Sequence, residues 1–256
     1  MNMQIELLIQ TLIMPLLLSY VVYRAAPHNT PWQGSGIFLA WLVACFWILK
    51  LPALPPAEAV DWLWLAGLSF VLMQYLPRVY RKATVLFIFV SSLLLISWPL
   101  LQYELTAGLV IELLFIIMAV AVFVISNSST PSPGLIVSMS ATALAVCTAL
   151  SGSLLIAQLA AALAAATGMF ALAELGQRLQ SSQLSAVILL PLVLLYFLLL
   201  AIARFYAEMP VGSALLLLLA PLSLCFNHRL AAAACLLLLI AATGWIFMLQ
   251  DSAVYY

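Results

Sequence analysis

Long apolar runs alternate with short polar breaks along the whole of this chain. Ten runs are legible, at 5–23, 35–50, 60–76, 83–101, 107–125, 134–150, 153–173, 184–203, 211–226 and 230–249. Apolar stretches of about 17–25 residues are the helical solution for crossing a bilayer. Strands of a transmembrane barrel would instead alternate in polarity over about ten residues. The run from Ala186 to Ala203 does not alternate. The pattern therefore predicts an all-α fold, a polytopic transmembrane helix bundle of about ten spans.

The breaks carry turn chemistry. Pro27, Pro31 and Gly34 punctuate the first, and Pro52, Pro55 and Pro56 the second. The clearest linker is the Ser/Pro-rich stretch from Ser126 to Gly134, close to the midpoint. It divides a single membrane-embedded domain, 1–256, into halves 1–126 and 134–256. The linker also invites a five-plus-five inverted repeat, a possibility for which matching signals are few. Pro15 has no counterpart at its depth in the sixth run, and Glu112 has none in the tenth. Two breaks are weak, Ser151-Gly152-Ser153 and Asn227-His228-Arg229. If either is a kink rather than a turn, the count falls to nine or eight.

Composition names the solvent. Hydrophobic residues make up 67% of the chain and charged residues 6%, against about 25% charged in a soluble domain. The bilayer must solvate most side chains, so backbone groups must pair within the protein. The loops are too short to hold a soluble domain. The first run lacks a basic leader and carries Glu6, so it is expected to be retained as a span and not removed as a signal peptide.

Charge then gives the bundle a direction. Arg24, Arg78, Arg81, Lys82, Arg178 and Arg229 fall on odd-numbered loops, whereas only Lys50 and Arg204 fall on even ones. Basic loops stay in the cytoplasm. Both termini are therefore expected on the non-cytoplasmic side of a plasma-type membrane, such as a bacterial inner membrane. Trp47, Trp62, Trp64, Trp98, Tyr103, Tyr206 and Trp245 would then ring the outer interface. Tyr20, Tyr23, Trp32, Tyr75 and Tyr80 would ring the inner one.

Within that frame the polar residues inside spans stand out, because ionisable groups there are costly and often functional. Glu112 lies five residues into the fifth run. Gln10 and Gln158 lie at a similar depth in the first and seventh, and Arg204 ends the eighth on the same side. The expectation is a polar pocket of Glu112, Arg204, Gln10 and Gln158, open outward. The competing reading is a structural ion pair or subunit contact. Arg204 and Glu208 also stand four apart, the spacing of a local helical pair.

Other features are weaker. Cys45, Cys147, Cys225 and Cys235 are widely separated and read as small apolar side chains. Cys225 and His228 have C-x-x-H spacing, and His28 falls on the same side, but a metal needs several converging ligands and no second cluster exists. No metal or cofactor is expected. The Asn127-Ser128-Ser129 sequon falls on a loop read as cytoplasmic. Nucleotide-binding loops, the His-Glu-x-x-His motif and the Gly-x-Ser-x-Gly elbow are missing from the sequence. Net charge is zero, which removes nucleic acid as a partner.

Small residues recur at Ala157, Ala161 and Ala165, and at Ala160, Ala164 and Gly168. They predict a close-packed hairpin of the sixth and seventh runs near the bundle centre, with a pore or lipid-chain surface as the functional alternative. Pro15, Pro191 and Pro221 should kink their helices and free carbonyls. Two function classes follow. One is a small transporter or channel for a small or apolar solute. The other is a non-catalytic subunit or assembly factor, whose partners would be further membrane subunits besides the lipid bilayer. A lipid-acting enzyme ranks below both, since Glu112 would be its only acid–base residue.

Overall fold

The computed structural model describes residues 3–25, 31–50, 56, 58–126, 133–176, 186–223 and 228–253. Among these, the regular structure is helical throughout, and the helices occupy the ten apolar runs in order. Helix α1 is continuous through Met3–Leu8, a widened turn Ile9–Ile13, and Met14–Ala25. Then come α2 (Pro31–Leu49), α3 (Trp62–Leu72, with tight turns Ala59–Asp61 and Met73–Tyr75 at its ends) and α4 (Arg78–Tyr103). They are followed by α5 (Ala107–Ile125), α6 (Pro133–Leu150), α7 (Leu154–Gly176) and α8 (Ala186–Tyr206). The last two are α9 (Val211–Leu222) and α10 (His228–Ala253). Among the described residues, four stretches are long and apolar enough to cross a membrane: Ile5–Ala25, Tyr80–Tyr103, Ala107–Ile125 and Leu154–Leu172.

Both weak breaks separate helices. At Ser151-Gly152-Ser153, the Ser153 N–H donates to the Thr148 carbonyl (3.0 Å) and the Gly152 N–H to the Ala149 carbonyl (3.1 Å). Gly152 has φ 92°. This bond pair is the Schellman termination, which needs a left-handed residue and so favours glycine. Between α9 and α10, residues 224–227 lie outside the described residues, as does most of the midpoint linker with its sequon.

Helix α8 sits at the centre. Every residue from Leu192 to Ala203 is buried, as expected for a helix apolar on all faces. It packs against α2 to α7 and against α9. The α6–α7 hairpin forms the most extensive helix pair. Its small residues bring the backbones close enough for the Ser138 hydroxyl to donate to the Ala164 carbonyl across the pair (3.1 Å). The sequence reading placed this hairpin near the centre, but one face of α7 is left open beside α1. A second close approach occurs where α2 meets α3, since a Cβ at Gly67 would overlap the Phe38 ring.

The prolines show how the bundle answers a missing donor. Pro221 lies inside α9 and cannot donate to the carbonyl four residues back, at Leu217. The fully buried Tyr196 of α8 donates its hydroxyl to that carbonyl at 2.8 Å. In α1 the turn preceding Pro15 is widened, with the Met14 N–H reaching five residues back to the Ile9 carbonyl. Such a turn makes room where a proline ring presses on its own helix.

Tyr196→Phe is expected to lower stability by about 1–2 kcal/mol, because the Leu217 carbonyl then has no donor. In a Pro221→Ala background the restored N–H supplies that donor, so the same change should cost clearly less. Thermal unfolding of the four proteins in one detergent measures this coupling.

Candidate functional site

Glu112 and Arg204 meet across the bundle. Helix α5 starts at a Thr106 cap, whose hydroxyl accepts the Leu109 N–H (3.2 Å). That start places Glu112 in the second turn. Arg204 occupies the last turn of α8. Its Nε donates to Glu112 Oε2 and its Nη2 to Glu112 Oε1, both at 2.8 Å. The third guanidinium nitrogen, Nη1, donates to the Met209 carbonyl at 3.1 Å. The fork engages both carboxylate oxygens, the arrangement that gives arginine its geometric specificity. The two side chains are 25% and 23% exposed.

The local pairing of Arg204 with Glu208 is not what forms. Helix α8 ends at Tyr206, and Glu208 lies in the following turn with φ 52°. Residues four apart share a face only while the helix continues. Beside the Arg204–Glu112 pair is a cavity of about 30 Å³, walled by Phe115, Ile116, Leu200 and Leu215. It has room for about one water and none for an organic solute. This pair ties α5, α8 and the approach to α9 into one unit. Nearby, the Tyr206 hydroxyl donates to the Ile96 carbonyl of α4 (2.6 Å), adding a fourth helix.

The two glutamines sit elsewhere. Gln10 is buried and donates to Glu6 on its own helix (3.3 Å). Gln158 lines a groove between α1 and the α6–α7 hairpin. The four residues therefore share neither one pocket nor one set of hydrogen bonds. Equal depth along the membrane normal does not fix the position of a helix around the bundle.

The groove has a volume of about 720 Å³. Leu7, Leu8, Thr11 and Leu12 of α1 form one wall, and Ser138, Thr142 and Ala149 of α6 another. The floor is the small-residue face of α7, from Ala157 through Ala161 and Ala165 to Gly168. The lining hydroxyls are turned to backbone. Thr11 donates to the Leu7 carbonyl (2.7 Å), Thr142 to the Ser138 carbonyl (2.8 Å) and Ser138 to the Ala164 carbonyl (3.1 Å). The surface presented is thus largely methyl and methylene.

Sequence reasoning missed two contributors. The α1 wall of the groove has no sequence signal, since Leu7, Leu8 and Leu12 look like any lipid-facing leucines. Two cations at the start of α4 also have a second role. Arg81 Nη2 donates to the Gln74 (2.9 Å) and Leu76 (2.8 Å) carbonyls at the end of α3. Lys82 Nζ donates to the Ile125 carbonyl (3.1 Å) at the end of α5. Cations suit helix C-termini, where carbonyls lack intrahelical donors.

Comparison of the chain with protein-family models, curated proteins and solved structures gives no match. Among the described residues, no three His, Cys, Asp or Glu side chains converge as metal ligands. Cys225 and His28 lie outside the described residues.

Arg204→Ala and Glu112→Ala are each expected to lower stability by about 1–3 kcal/mol. Arg204→Ala should be the more harmful, since it also releases the Met209 carbonyl. The double variant should lose less than the two losses added, which a double-mutant cycle of detergent unfolding measures.

Proposed function

We propose that this is a ten-span membrane protein, with its odd loops in the cytoplasm, that carries small apolar solutes through the groove between α1 and α6–α7. The observation carrying the reading is the groove itself: about 720 Å³, within the volume range of small-molecule sites, and lined almost wholly by apolar groups. Its edges at Leu8, Leu12, Val146 and Leu154 are exposed, so a solute dissolved in the bilayer reaches it from the side. Ion-coupled pumping lacks support. The pair of charged side chains that face each other within the bundle, Glu112 and Arg204, satisfy one another. The aromatic residues Trp98, Tyr103 and Trp245 on the outer side, and Trp32, Tyr75 and Tyr80 on the inner side, are exposed, as interface anchors would be.

Liposomes containing only this protein should move a pyrene-labelled glyceride between leaflets faster than protein-free liposomes. Ala161→Phe, which places a ring on the groove floor, should abolish the gain. Stable co-purifying partners together with no flux would instead support the non-catalytic subunit. For the orientation, a cysteine at Arg24 should react with an impermeant maleimide only after permeabilisation. A cysteine at Glu104 should react from outside in intact cells; the reverse pattern would overturn the threading.

A further inference from the structure

We draw no further inference here: the strongest candidate, a second apolar groove lined by Val22, Trp32, Phe38, Leu39 and Leu68 where α1, α2 and α3 meet, is an open face, and nothing in the structure shows what covers it.

Discussion

An apolar bundle has no water with which to satisfy a stray backbone carbonyl, and the rest of this structure follows from that constraint. Helices answer it along their lengths, but not at their ends or at prolines. The Tyr196 hydroxyl supplies the donor that Pro221 cannot give to Leu217. Arg81 and Lys82 supply donors where α3 and α5 end. Arg204 holds the Met209 carbonyl just before α9 begins. Polar side chains are scarce in this protein, and many of those present are directed at carbonyls.

The same constraint explains how far the sequence could be read. The order and placement of the helices were legible because apolar run length is set by the surroundings of each segment alone. The pairing of Glu112 with Arg204 was half legible. Depth could be counted along each helix, and it put both residues at one level. It also put Gln10 and Gln158 there, and the structure sends them elsewhere, because depth says nothing about azimuth around a bundle. The central position of α8 had a sequence signal in its unbroken apolar character from Leu192 to Ala203. The alanine pattern of α7 marks its close packing on α6, and 67% of the stretch Leu154–Leu172 is buried. Small residues mark a close approach on one face; they do not imply burial on all of them.

The Glu112–Arg204 pair and the groove divide two roles that the sequence assigned to one place. Charge and geometry are both satisfied at the pair, which leaves a space of about 30 Å³ beside it. Such a site holds helices together. The groove is the reverse: wide, uncharged and walled on one side by α1, whose course is interrupted by a widened turn and Pro15.

The capping of α3 and α5 by Arg81 and Lys82 joins two properties usually treated as separate. Positive charge beside a membrane helix biases which side of the membrane that end takes during insertion. After insertion, the same side chains close the ends of two helices. Selection acting on either property therefore also acts on the other. A chain that lost Arg81 and Lys82 would lose the donors at two helix ends together with the positive charge beside them.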